Sequence, residues 1–193
     1  MLLERGAVDV RVKDIAERAG LSPASVLYYY PDLDELLLEV SHEAMNRYAE
    51  RRAEAVRELD DPRDQLRLAI QLGVPTGPDD DESRLLYELD AFTGSSRLFE
   101  MLSVSFFDRQ TVLYQSVLET GVARGDFALT VPAELVARGL VALEDGLGLQ
   151  VVIGHPAIDK AEAERILLGY ATAATGFDLA ALPPQPRPLS PQP

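Results

Sequence analysis

The segment Ile15 to Pro31, IAERAGLSPASVLYYYP, has residue types at the spacing of a helix-turn-helix. The chemistry such a unit performs is recognition of base edges in the major groove of DNA. Two helices that cross steeply need a small residue at their contact, and Ala16 provides one. Four residues on, the turn needs a positive φ angle, which glycine adopts without strain, and Gly20 stands there. Val26 then plugs the interface, with Ile15, Ala19 and Leu21 completing its apolar side. A plain helical hairpin also fits this spacing, so the outward positions carry the case. Ser22, Pro23, Ala24, Ser25, Tyr28 and Tyr29 fall at the start or on the accessible side of the second helix. Their small side chains allow close approach, and their hydroxyls reach bases or phosphates. Arg11 and Lys13 flank the start of the first helix, where cations and free N–H groups together suit a phosphate. Packing is the competing role for the tyrosines. Tyr30 reads as core, whereas Tyr28 and Tyr29 are not both core.

Other groupings carry less chemistry. Glu144 and Asp145 are paired carboxylates within an apolar helix, but no histidine, nucleophile or metal-spaced ligand accompanies them. One of them is expected to pair with Arg109 or with an arginine across a dimer, and the other to be exposed. His42 and His155 are isolated. Asp79-Asp80-Asp81-Glu82 lacks the glycine and spacing of a calcium loop. Gly146-x-Gly148 lacks a third glycine and a preceding strand. No catalytic residue, metal site or cofactor is expected.

The chain has 193 residues, 47% of them hydrophobic, which suits one compact unit or a small domain joined to a larger one. It has no cysteine, so disulfides and thiolate metal sites are excluded. Glu4 and Arg5 directly follow Met1-Leu2-Leu3, unlike a secretory leader. The longest apolar stretch, Val131 to Ile153, is broken by Glu134, Arg138, Glu144 and Asp145 and reads as a buried helix, not a membrane span. A cytoplasmic location is expected. Net charge is −14, yet residues 1–30 hold four basic and four acidic side chains, so the whole excess lies beyond them. A uniformly acidic surface would repel phosphates, whereas a neutral N-terminal segment can approach DNA while the acidic body faces away.

The elements that position these residues read as helices almost throughout. The cap signals predict helices over 12–19, from Ser22-Pro23 to about Tyr30, from Asp32 or Leu33 to about Leu59, and from Asp61-Pro62 to about Leu72. A loop over 73–81 follows, then helices over about 82–94, 96–124, 132–153 and 160–175. Asp159 with Glu162 resembles a capping box. The last eleven residues include six prolines and read as an extended, mobile appendage.

With its flanks, the opening segment resembles the DNA-binding domain of the TetR family of repressors. Residues 2–46 carry the likeness: LLERG, then VRVKDIAERAGLSPASVLYYYPDLDELLLEV. FFDRQTVLYQSVLETGVARGDF and LVALEDGLGLQVVIG resemble the ligand-binding half of one TetR subgroup. Two departures stand out. Only Leu2 to Arg5 match the end of the family's opening helix, so the natural chain is expected to begin upstream. Without that helix, Ile15, Ala19 and Val26 would be partly uncovered. The family also commonly places a phosphate-contacting lysine after the aromatic-Pro pair, and here that stretch is Asp32-Leu33-Asp34-Glu35. Weak binding with a shallow salt dependence is the expected consequence.

The resemblance implies an all-α fold: a helix-turn-helix DNA-binding domain over 1–46, its first helix truncated, and a ligand-binding and dimerisation domain over 47–177. A Pro-rich flexible tail over 178–193 follows. A TetR-like pocket would run along the apolar stripe Phe99, Leu102, Phe106, Leu113 and Val117, a stripe that ordinary core packing also explains. Tyr87, Phe106, Arg109, Gln110 and Tyr114 are the candidates to hold a small-molecule effector. The helix over 132–153 is apolar nearly all round, as a helix buried on two sides would be. One side would face a second subunit, with Gly139, Gly146, Gln150, Ile166 and Tyr170 at the interface. A monomer that uses this helix as its core is the alternative. The expected partners are operator DNA, an unknown effector and a second copy, and no membrane. The expected function is a ligand-responsive repressor that binds a near-palindromic operator as a dimer. The alternative is a helical small-molecule-binding protein of the same fold that has lost DNA binding. An all-helical enzyme would need a catalytic constellation that the sequence lacks.

Overall fold

The computed structural model describes residues 10–90 and 96–182. The expected remnant of an opening helix at Leu2–Arg5, the end of the helix expected over 82–94, and the chain beyond Leu182 lie outside the described residues. Within them the fold is all helix. α1 (Val12–Ala19) ends at Gly20, whose φ of 68° lets the Leu21 N–H return to the Ala16 carbonyl. α2 (Pro23–Tyr29) starts from Ser22, whose hydroxyl accepts from the Ser25 N–H at 3.0 Å, and stops one residue before Pro31. α3 (Leu33–Arg57) is capped by Asp32, and α4 (Pro62–Gly73) by Asp61. α5 (Asp81–Asp90), α6 (Arg97–Arg124), α7 (Ala133–Val152) and α8 (Lys160–Thr175) complete the order. Every helix boundary read from capping residues falls within about two residues of its observed place.

Two local expectations are corrected. The capping box at Asp159 is one-sided: Asp159 accepts from the Glu162 N–H, but the Glu162 carboxylate turns to Arg165 at 2.6 Å. The tail does not begin at 178. Gly176, with φ of 70°, reverses the chain after α8, and residues Leu179–Ala181 form a 3₁₀ turn. Leu179 has no exposed surface and belongs to the main core, while Phe177 lies under the Arg63 guanidinium, 5.3 Å from its ring centroid. The folded body thus extends to Leu182 because the reversal returns two large apolar side chains to α8.

The body is a bundle in which α6 packs against α3, α4 and α7, and α8 closes over α7 and α4. α1 and α2 pack chiefly on each other. One polar cluster crosses the bundle. Arg52 of α3 is 2% exposed, and its two terminal nitrogens donate to both Glu144 carboxylate oxygens of α7 at 2.7 and 2.6 Å. They also donate to the Gln110 side chain and the Tyr114 hydroxyl of α6, at 2.7 and 2.8 Å, and to the Ala69 carbonyl of α4 at 2.7 Å. The Tyr114 hydroxyl in turn donates to Glu144 at 2.5 Å. Burial opposes the Arg52 charge, but the Glu144 carboxylate together with the Tyr114 and Tyr48 hydroxyls outweighs it and holds the guanidinium well above its usual range. Gly73 passes directly over this pair, and any Cβ there would collide with the Glu144 carboxylate and Arg52.

Removing one partner of such a pair leaves a buried charge without compensation. Arg52→Ala should therefore lower unfolding free energy by about 3–5 kcal/mol. The joint replacement Arg52→Met with Glu144→Leu should recover most of that loss. Urea unfolding of the three proteins checks both, and equal midpoints for Arg52→Ala and wild type would refute the assignment.

Candidate nucleic-acid interface and effector cavity

α1 and α2 form the expected steep pair. Ala16 is fully buried at their contact and Val26 nearly so. The rest of the expected apolar seam differs: Ile15 is half-buried, and Ala19 and Leu21 are exposed. Tyr30, expected in the core, is only half-buried. Ser22, Pro23, Ala24, Tyr28 and Tyr29 are exposed and Ser25 half-exposed, so all six expected contact residues of α2 are accessible. Tyr28 and Tyr29 are 82% and 75% exposed and stack edge to face at 5.1 Å between centroids. Both stand clear of the core, as the sequence required of at least one.

The charge at this end is divided between α1 and the segment that follows it. Arg11 and Lys13 are exposed. However, the Arg11 N–H, one of the free donors expected to meet a phosphate, is taken by the Asp14 carboxylate at 3.3 Å. Residues 21–46 contain no lysine or arginine and five carboxylates. Asp32, where a family lysine was expected to be missing, is occupied as the cap of α3, accepting from the Glu35 N–H at 2.9 Å.

A cavity of about 70 Å³ lies between α3, α5, α6 and α7. Tyr48, Tyr87, Phe106 and Phe107 give it aromatic walls, and Asp90, Glu144 and Asp145 give it carboxylates. Three of the five expected effector residues, Tyr87, Phe106 and Gln110, line it. Tyr114 is fully buried behind the wall, where its hydroxyl serves the Arg52–Glu144 pair. Arg109 opens instead onto a groove between α3 and α6 and donates to Asn46 at 2.6 Å. Its expected pairing with Glu144 or Asp145 is therefore not made: Glu144 belongs to Arg52, and Asp145 is exposed, as one of the two was expected to be.

Several cavity residues escaped the sequence reading. Met45 and Tyr48 of α3 and Asp90 of α5 had no pattern to mark them. Gly148 of α7 supports the wall from outside: the Tyr87 hydroxyl lies where its Cβ would reach, while that hydroxyl donates to the Asp145 carbonyl at 3.1 Å. Glycine is required there because the Tyr87 ring crosses α7 closely. The electrostatics favour cations. Burial pushes the Tyr48 phenol up to about 12, and burial followed by the Asp145 charge raises Tyr87 above its usual range, so both stay neutral at pH 7. Burial, then Asp90 and Glu144, raises Asp145 above its usual range. Arg52 neutralises one carboxylate of three. Among the described residues, no three His, Cys, Asp or Glu side chains gather as a metal site.

The expected interface residues divide. Gly139 faces the Tyr170 hydroxyl within one protomer, and the Gln150 amide donates to its own Gly146 carbonyl at 3.1 Å. Ile166 packs partly on its own core. Gly146 is exposed with open space where a Cβ would be. Around it on α7 stand Leu135, Ala142 and Leu149, all exposed, and Gly169 of α8 is open in the same way. No helix among the described residues is long and apolar enough to cross a membrane.

Comparison with known proteins agrees with this architecture. A family model for bacterial regulatory proteins of the tetR family matches residues 1–40, and one for the C-terminal part of BetI-type transcriptional repressors matches residues 62–176. The HTH-type transcriptional regulator BetI of Stenotrophomonas maltophilia is 32% identical, over 86% of this chain and 83% of that one. The regulator PksA of Bacillus subtilis is 25% identical over 88% and 82%. Among solved structures, a transcriptional regulator from Saccharomonospora viridis in complex with choline superposes with a TM-score of 0.79 at 25% identity, covering 88% of each chain. A TetR regulator from Haloarcula marismortui gives 0.79 at 26% identity, over 90% and 92%. The chain thus belongs to the TetR family of ligand-responsive, DNA-binding transcriptional regulators, with a regulatory half of the BetI type.

Proposed function

We propose that the chain is a cytoplasmic, homodimeric repressor whose operator grip is relieved by a small alkylated ammonium ion. The observation that carries the effector class is the cavity itself. Four aromatic rings and the carboxylates of Asp90, Glu144 and Asp145 surround a compact volume. Ring faces attract a cation whose charge is spread over methyl groups, and the carboxylates supply the counter-charge. The choline found in the Saccharomonospora viridis regulator is a molecule of this class.

The dimer is supported by the apolar face of α7 with α8, where Leu135 is 57% exposed and Leu149 46% exposed beside open glycines. Large exposed side chains on one face mark an interaction site. A two-fold dimer carries two copies of α2, so its operator is near-palindromic, with half-sites about one helical turn apart or a multiple of it. Met45 and Tyr48 place the cavity on α3, the helix that continues from α2, so an effector that shifts α3 changes the separation of the two readers.

Calorimetry tests the effector class with choline, tetramethylammonium and the uncharged choline isostere 3,3-dimethylbutanol. The two cations should bind and the isostere should not, and Asp145→Asn should weaken choline roughly tenfold. Equal binding of choline and the isostere would sink the cationic reading. Choline affinity should also fall as pH drops through the raised titration range of Asp145, above pH 3.8, because protonated Asp145 offers no counter-charge. Operator binding gives a separate check. Two exposed cations per protomer at the start of α1, Arg11 and Lys13, imply a slope of log affinity against log salt of about −4. The first 46 residues hold four cations, so a slope steeper than about −7 would place the phosphate contacts elsewhere.

A further inference from the structure

The face that α2 turns to DNA has none of the charged or amide side chains that read guanine, adenine or cytosine by strong or bidentate hydrogen bonds. Leu21 to Tyr30 contains no Arg, Lys, Asn, Gln, Asp or Glu, the residues whose contacts discriminate those bases in the major groove. The two serine hydroxyls are occupied with each other. Ser22 Oγ accepts from the Ser25 N–H, and the two oxygens lie 2.7 Å apart. At positions i, i+1, i+4 and i+5 the helix instead exposes Pro23, Ala24, Leu27 and Tyr28, a ridge of carbon. Only Val26 of this helix turns fully inward. The one major-groove feature that rewards contact with carbon is the C5 methyl group of thymine.

We infer that α2 recognises its operator through thymine methyl groups. Each half-site then presents a short run of T·A pairs whose methyls pack against Pro23, Ala24, Leu27 and the Tyr28 ring. From Pro23 to Tyr28 the ridge rises about 7.5 Å along the helix, roughly two base steps. Leu27 is 42% exposed and Tyr28 82%, a large apolar surface for a helix of seven residues, and burying it against methyls removes it from water. This inference rests on DNA binding alone and is independent of the effector.

The test is a selection by the full-length protein from a pool of random-sequence duplexes, followed by synthesis of the enriched duplexes with deoxyuridine in place of thymidine. Uracil keeps every hydrogen-bonding group of thymine and lacks only the methyl. Thymine should dominate the enriched half-sites. Deoxyuridine at one symmetry-related pair should weaken binding about fifteenfold, or about fourfold per methyl, with the salt slope unchanged. Ala24→Gly should lower the ratio of thymine to uracil affinity while helix content stays constant. The wild-type comparison is decisive without that variant. Equal affinity for thymine and uracil duplexes would overturn the inference. So would a half-site whose selectivity is lost with 7-deazaguanine and unaffected by uracil, or a pool with no enrichment.

Discussion

The Arg52–Glu144 pair fixes the geometry of the regulatory half. Two charges at 2.6 Å in a dry interior are expensive to desolvate, and the cost is met only if nearly every lone pair and proton finds a partner. Here the partners come from four helices: Arg52 from α3, the Ala69 carbonyl from α4, Gln110 and Tyr114 from α6, and Glu144 from α7. A hydrogen-bonded cluster tolerates far less displacement than an apolar contact, so these helices hold a single register. The absence of a Cβ at Gly73 lets α4 approach the pair. The charge distribution in the cavity follows from the same arrangement. Glu144 is held by Arg52, and Asp90 and Asp145 line the same cavity beside it.

A second constraint acts at the other end of the molecule. A DNA reader normally draws affinity from cations near phosphates. Residues 21–46 supply none, and their carboxylates are used to start α3 or lie exposed. On the inference drawn above, the unit depends on shape and on the apolar ridge of α2 more than on charge. A reader built this way gains little from non-specific DNA, because the phosphate term is the part common to all sequences.

Much of this was legible in the sequence where a short-range rule decides the outcome. Gly20, Ser22-Pro23, Asp32, Asp61-Pro62 and Asp159 each end or start a helix by contacts within four residues, and the observed boundaries follow them. The outward tyrosines of α2 were legible for the same reason. The partner of Glu144 was not. Arg109 and Arg52 are equally plausible on charge, and the choice depends on α3 and α7, residues 92 positions apart. Arg109 lies one residue before Gln110 on α6, and that single step turns it to the α3 groove, where Asn46 receives it. The tail boundary failed in a similar way. Proline content marks the end of the chain well, but only the reversal at Gly176 shows that Phe177 and Leu179 return to the core.

The two constraints meet on α3. Its 25 residues span about 37 Å, from the Asp32 cap beside α2 to the far end of the bundle. Met45 and Tyr48 face the cavity, and Arg52 follows one turn later. In the proposed regulator, α6 and α7 cannot yield to an effector without breaking the hydrogen bonds around Arg52. α5 packs chiefly against α3 and α7, and is held by the exposed Arg51–Glu82 ion pair, the Tyr87 hydrogen bond and the Ser103 hydroxyl of α6, which donates to Asp90 at 3.5 Å. It shares none of the hydrogen bonds described around Arg52, and its movement would act on α3 ahead of Arg52, on the segment that leads to α2. A coupling of about 3 kcal/mol is enough to change operator affinity more than a hundredfold. The effort of α5 and the N-terminal half of α3 then needs only to exceed a few surface contacts, whereas the buried pair holds the rest of the bundle still.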